Sequence, residues 1–182
     1  MKDEFTADLK RVLVPVDFSE PSRSALRYAL SLSKPFKAEI HLLHVVQALV
    51  FPPDVEVVET ATVAARLNEE AAKRLSAWAL EAAEEGVVVV KDLRIGGPYN
   101  EIVDAATETK ADLIVMGTQG RSGLGRLFIG STAERVVRHA PCPVLVVREH
   151  AEEAESRTAE EESESAKPHH KKARRREKAL AA

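Results

Sequence analysis

Leu113-Ile114-Val115-Met116-Gly117-Thr118-Gln119-Gly120, followed after nine more residues by Gly130-Ser131-Thr132, is the stretch that decides the fold of this chain. Its apolar run predicts a buried strand that ends at Gly117. The helical apolar spacing after Gly130 predicts a helix that begins at that glycine. Such a junction can bind an anion, because glycine lets the backbone come close and the first N–H groups of a helix lack internal partners. The same glycines could instead serve only to pack helix against strand, and the pattern leaves both interpretations open.

The rest of the chain alternates between strand and helix patterns. Strands are predicted over residues 11–16, 38–46, 87–95, 113–116 and 144–147. Helices are predicted from the N-cap Ser19 to Lys34-Pro35, from about Thr60 to Glu85 with Gly86 as the C-terminal cap, after Gly96-Gly97-Pro98, and after Gly130. This alternation predicts a parallel α/β sheet with right-handed crossovers and helices on both faces. Asp17, Val45 and Gly117 each lie at the carboxyl end of a strand, so we expect them on one rim, where open sheets bind ligands.

Composition excludes several classes of protein. The formal net charge of −3 over 182 residues gives no overall attraction to nucleic acid or membranes. Cys142 is the single cysteine, so no disulfide forms within the chain, and its apolar neighbours favour a small buried hydrophobe over a nucleophile. No apolar stretch reaches the ~18 residues of a membrane span, and the N-terminus has no secretory pattern. We therefore expect a cytoplasmic protein.

Charge patterning divides the chain into three parts. Residues 1–10 are polar and predicted to be flexible, residues 11–148 form the predicted domain, and residues 149–182 form a charged tail that is predicted to be disordered. The tail has eight glutamates over residues 149–166 and seven lysines and arginines over residues 167–182. Its basic run Lys171–Arg176 could contact a polyanion, or the acidic block could neutralise it; a solvated tail is the favoured interpretation.

The spacing Gly-x-x-Gly-x9-Gly-Ser resembles the nucleotide-binding signature of the universal stress protein family. The surrounding sequence is similar to that family at four places: Val14–Asp17, Met116–Leu124, Gly130–Val136 and His139–Val147. The resemblance covers roughly residues 10–148. It implies a Rossmann-like, open five-stranded parallel sheet with strand order 3-2-1-4-5. It also implies a homodimer through the strand Pro143–Val147, which would otherwise be an exposed apolar edge.

The resemblance further implies ATP, or ADP or AMP, as a regulatory ligand, with Mg²⁺ or Mn²⁺ held through the phosphates. Asp17 would bind the ribose or adenine, the Val45 main chain would contact the adenine edge, and Ser131 would contact the terminal phosphates. The implied binding residues are Pro15, Val16, Asp17, Val45, Met116, Gly117, Gly120, Arg121, Gly130, Ser131 and Thr132.

Alternatives remain open at the level of residues and of function. Asp17 could simply cap the next turn, Val45 could be an ordinary core residue, and Arg121 or Arg126 could be solvated rather than phosphate-bound. His41 and His44 are expected on opposite faces of their strand as packing or surface histidines. A slow ATPase or an enzyme that autophosphorylates on Ser131 is one rival, although no general base is apparent beside that serine. A dimeric interaction module that binds no nucleotide is the other.

Overall fold

A computed structural model of the chain describes residues 8–47, 57–118 and 130–148. Strands and helices alternate along it: β1 (Arg11–Pro15), α1 (Glu20–Phe36), β2 (Glu39–Val46), α2 (Val57–Glu84), β3 (Val89–Ile95), α3 (Pro98–Thr109), β4 (Leu113–Gly117), α4 (Ser131–His139) and β5 (Val144–Val147). The five strands pair in parallel in the order β3-β2-β1-β4-β5. The predicted α/β sheet and its implied strand order are both confirmed.

Several predicted features fall wholly or partly outside the described residues. The tail 149–182 with its basic run Lys171–Arg176, and the glycine loop over residues 119–129, lie outside them. Of the segment 1–10, residues 8–10 are described, and the Lys10 main-chain N–H donates to Asp112 Oδ2 at 2.9 Å.

Strand β1 is apolar on both faces, as predicted. Val12 and Val14 are fully buried in a cluster with residues of α1 and α2, whereas Leu13 between them is fully buried against α3 and α4. Burying each such side chain is worth roughly 1.5–3 kcal/mol. Helices on both faces of a parallel sheet leave its carboxyl edge as the open rim.

Helix α1 begins as predicted but ends later than predicted. Ser19 is its N-cap, and its Oγ accepts from the Ser22 N–H at 3.4 Å. The helix continues through Pro35 to Phe36, although Lys34-Pro35 was expected to end it. Lys37 then adopts a left-handed φ of 53°, and N–H groups at the helix end return to the Lys34 and Ser33 carbonyls. This closure at Lys37 lies two residues beyond Pro35, so the proline costs the helix a single backbone hydrogen bond in its last turn.

Helix α2 is much longer than the strands that it covers. Its 28 residues span about 42 Å, whereas the eight residues of β2 span about 26 Å. Trp78 and Leu75 are buried as expected, but Val63 and Leu67, which were expected on the same core stripe, are 43% and 39% exposed. The predicted burial of these two residues was wrong because the N-terminal half of α2 extends past the sheet. Tyr28 and Val137, also expected on apolar faces, are 45% and 50% exposed at the margins of their helices.

Candidate functional site

A cavity of about 620 Å³ opens at the carboxyl edge of the sheet. β1 and β4 pair at only two positions, Val12–Leu113 and Leu13–Ile114, and the chain then leaves β1 toward one face of the sheet and β4 toward the other. The crevice between them is the point where strand order reverses, and its volume is within the range of small-molecule sites. We call it the rim cavity.

The rim cavity brings together most of the residues that the sequence singled out. Nine of the eleven implied binding residues line it: Pro15, Val16, Asp17, Val45, Met116, Gly117, Gly130, Ser131 and Thr132. The other two, Gly120 and Arg121, lie outside the described residues. Four separate segments of the chain therefore converge on one hollow.

The main chain of Val45 points into the crevice. Val16 N–H donates to the Leu43 carbonyl at 2.8 Å, so the polar groups of Leu43 face β1. Val46 faces the other way, since its carbonyl accepts from Gly96 N–H at 3.0 Å. Backbone groups alternate along a strand, so the N–H and C=O of Val45 face the β1 side, beyond the point where β1 has turned away. This orientation suits a main-chain contact to a flat heterocycle.

The N-terminus of α4 supplies N–H groups at the opposite end of the cavity. Gly130 is the N-cap, with no side-chain capping bond, and its own N–H donates to the Thr118 carbonyl at 2.7 Å. The first hydrogen bond within the helix is donated by Glu134 to Gly130. The N–H groups of residues 131–133 thus precede the helical ladder and form the positive end of the helix dipole.

Gly117 has a packing role that the glycine pattern alone left undecided. A Cβ at this position would lie 2.9 Å from the carbonyl carbon and oxygen of Pro21 and 3.0 Å from its Cβ. Pro21 belongs to the first turn of α1, so the missing side chain admits α1 against the end of β4. Gly117 lines the rim cavity as well, but helix packing is sufficient to explain why it is a glycine.

The turn after β1 satisfies both interpretations of Asp17. Its Oδ1 accepts from the Ser19 N–H at 3.0 Å and from the Ser19 hydroxyl, so it does brace the start of α1. The same residue lines the rim cavity. Phe18, which lies between Asp17 and Ser19, has a left-handed φ of 63°. This conformation costs a bulky residue about 1–2 kcal/mol.

Phe18, His44 and Arg74 form a wall of the rim cavity that the sequence analysis missed. The Phe18 ring centroid lies 4.3 Å from that of His44, and the Arg74 guanidinium lies 4.3 Å from the Phe18 centroid. His44 is buried, and its Nδ1–H donates to the Val16 carbonyl at 2.7 Å. One signal was present: Arg74 follows Leu67 and Ala71 at helical spacing, which puts a cation on the margin of the apolar stripe.

The described lining carries few charges. Its ionisable side chains include the carboxylates of Asp17 and Glu70 and the guanidinium of Arg74. Across the three described ranges, no three acidic, histidine or cysteine side chains are grouped so as to hold a metal ion. The helices within these ranges also include none that is long and apolar enough to span a bilayer.

Comparison with known proteins identifies one family. The model of the universal stress protein family matches residues 8–148. Universal stress protein MJ0531 of Methanocaldococcus jannaschii is 40% identical over 139 residues, which cover 76% of this chain and 82% of that protein. Among solved structures, UspA from Lactobacillus plantarum matches with a TM-score of 0.71 at 27% identity, covering 79% of this chain and all of that one. Two others share the fold at lower identity: a universal stress protein in complex with cAMP (24%, TM-score 0.56) and one from Archaeoglobus fulgidus in complex with dAMP (23%, TM-score 0.53).

Proposed function

The chain belongs to the universal stress protein family, and from this membership we propose that it acts in a stress response by binding ATP in the rim cavity as a regulatory ligand. One observation carries the proposal. A single hollow contains an outward-facing main chain at Val45, the carboxylate of Asp17 and the open N-terminus of α4. These are groups suited to a heterocycle, a sugar and an anion, in that order across the site.

Each part of the nucleotide has a matching partner in this arrangement. The N–H and C=O of Val45 would contact the adenine edge, and Asp17 would accept from a ribose hydroxyl. The phosphates would lie at the N–H groups of residues 131–133, where the helix dipole favours negative charge. Gly120 and Arg121 would complete the phosphate end. Mg²⁺ or Mn²⁺ would be bound mainly by phosphate oxygens, since the described lining offers few carboxylates.

The solved structures support the nucleotide class rather than the number of phosphates. The two proteins found with cAMP and dAMP bind adenine nucleotides in those structures. At their level of identity the likeness extends to the fold, so the case for this chain depends on its own cavity. ADP or AMP would use the same base and ribose contacts and fewer of the phosphate contacts.

A regulatory role requires a ligand that binds two states of the protein unequally. We propose that the second state involves a homodimer in the cytoplasm. β5 is an edge strand of the sheet, and its sequence Val144–Val147 is entirely apolar. An uncovered apolar edge invites pairing, so a two-fold contact along residues 143–147 would close it.

Titration of the purified chain with ATP, with and without Mg²⁺, tests the proposal by calorimetry. We expect about one ATP per chain and loss of about tenfold or more in affinity for Gly130→Val, which crowds the helix N-terminus. Gly130 has φ −61° and ψ 150°, so valine fits its backbone without strain. Gly97→Val is the matched control, because Gly97 is the N-cap of α3 and does not line the rim cavity. An unmodified chain that binds no adenine nucleotide, or a Gly130→Val variant with full affinity, would contradict the proposal.

A further inference from the structure

The ring of Phe18 is held by three side chains from two elements remote in sequence. The Arg74 guanidinium of α2 lies 4.3 Å from the ring centroid, and the His44 ring of β2 also lies at 4.3 Å. Trp78, one turn after Arg74, contacts Phe18 edge to face with centroids 5.4 Å apart. Cation–π and edge-to-face contacts of this kind fix the orientation of a ring as well as its depth.

The backbone of Phe18 is strained where a glycine would be free of strain. Its φ of 63° is open to glycine at no steric cost but is rarely adopted by a bulky residue. Lys37 and Lys110 share this conformation, at φ 53° and 51°, but each caps the end of a helix. Phe18 caps none; it lies inside the turn that lines the rim cavity. Strain that the surroundings maintain at such a place points to a functional demand on the ring.

The held ring fixes the two residues before it. His44, which contacts the ring, also donates from Nδ1 to the Val16 carbonyl at 2.7 Å. Asp17 lies between this carbonyl and Phe18, and its carboxylate accepts from Ser19 on the other side. Residues 16–18 are thus attached at both ends, and all three line the rim cavity.

We propose that Phe18 is a positioning residue for the nucleoside end of the ligand. Through its contacts with Arg74 and His44, the ring holds the Asp17 carboxylate and the neighbouring main chain in the geometry that binds the base and sugar. The inference depends on the proposed nucleotide function and adds the residue that sets its geometry. It also makes α2 a contributor to affinity through a contact inside the protein.

Calorimetry on the full chain with ATP, adenosine and inorganic tripolyphosphate tests the inference. Phe18→Gly relieves the strain and removes the ring, and we expect it to bind both ATP and adenosine about tenfold more weakly. Tripolyphosphate, which would occupy only the phosphate end, should lose nothing. Phe18→Tyr keeps the ring and should restore ATP affinity. Lys37→Gly is the control, since it makes the same backbone change at a residue that does not line the rim cavity.

The outcomes separate the inference from the function on which it depends. If the unmodified chain binds ATP and Phe18→Gly binds it equally well, the inference is overturned and the proposed function stands. If the unmodified chain binds none of the three probes, both fail. Equal weakening for all three probes indicates a general loss of structure and also overturns the inference. Should Phe18→Gly not fold, Arg74→Met decides instead: a loss for adenosine as large as that for ATP supports an action through the ring, and a loss for ATP alone overturns it.

Discussion

Replacing Gly117 with alanine is expected to destabilise the fold through a steric clash with helix α1. The added Cβ would lie 2.9 Å from the Pro21 carbonyl carbon and oxygen, closer than such atoms approach in proteins. Backbone atoms at the start of a helix cannot rotate away as a flexible side chain could. Either α1 or the end of β4 must therefore shift.

The size of this effect follows from the cost of inserting one methyl group into a packed interior. Overpacking of this kind costs about 1–3 kcal/mol. For a domain of this size a loss of about 2 kcal/mol lowers the melting temperature by about 4–8 °C. Urea unfolding followed by far-ultraviolet circular dichroism gives the free energy directly, and thermal unfolding gives the shift.

The matched control is the same substitution at Gly97. A Cβ there would meet the Asn100 side-chain nitrogen at 3.5 Å, an ordinary contact. The gain from a stiffer unfolded chain and the loss of a favoured N-cap residue oppose each other, so we expect a net change within about 0.5 kcal/mol. If Gly117→Ala proved as stable as Gly97→Ala, the packing role assigned to Gly117 would be wrong.

Three further predictions concern other parts of the chain. Gly97→Ser should raise the free energy of unfolding, measured in urea, by about 0.5–1 kcal/mol. Gly97 is the N-cap of α3 and makes no side-chain hydrogen bond to the helix, whereas a serine hydroxyl can accept one; an unchanged midpoint would contradict this. ATP should alter the fluorescence emission of Trp78, the single tryptophan, because Phe18 contacts its ring and also lines the rim cavity. If the emission stays constant while calorimetry shows that ATP has saturated the chain, Phe18 does not couple the cavity to Trp78. Burial, and secondarily the Asp112 carboxylate, raises the pKa of the Cys142 thiol, so less thiolate is present at neutral pH and disulfide reagents should react far more slowly with the folded chain than with the guanidinium-unfolded chain; equal rates would refute the shift.

The sequence predicted those features that depend on local pattern. The run Val12-Leu13-Val14 indicated a strand buried on both faces, and its side chains do divide between two cores. Val45 could be assigned to the rim because it lies near the carboxyl end of a strand whose neighbours run parallel. Strand order came only from the family resemblance, since no local pattern specifies which strands are adjacent.

What the sequence did not predict depends on contacts between distant residues and on lengths. Nothing near Phe18 in the sequence indicates its positive φ or the contact of its ring with Arg74, 56 positions later in the chain. Val63 and Leu67 fit the helical period of α2, but exposure there depends on how far the helix extends beyond the sheet. Periodicity gives the direction of a side chain and does not show whether anything lies opposite it.

Because α2 extends beyond the sheet, its contribution to stability and its contribution to the rim cavity come from different parts of the helix. Its C-terminal half, around Leu75 and Trp78, contributes to the core, whereas Leu67 and Glu70 of its N-terminal half line the rim cavity. Selection or engineering could therefore change the segment of this helix around residues 63–70, and so change which molecules enter the rim cavity, while the β-sheet keeps its stability. Relatives that share this sheet could respond to different small molecules by varying one helical segment alone.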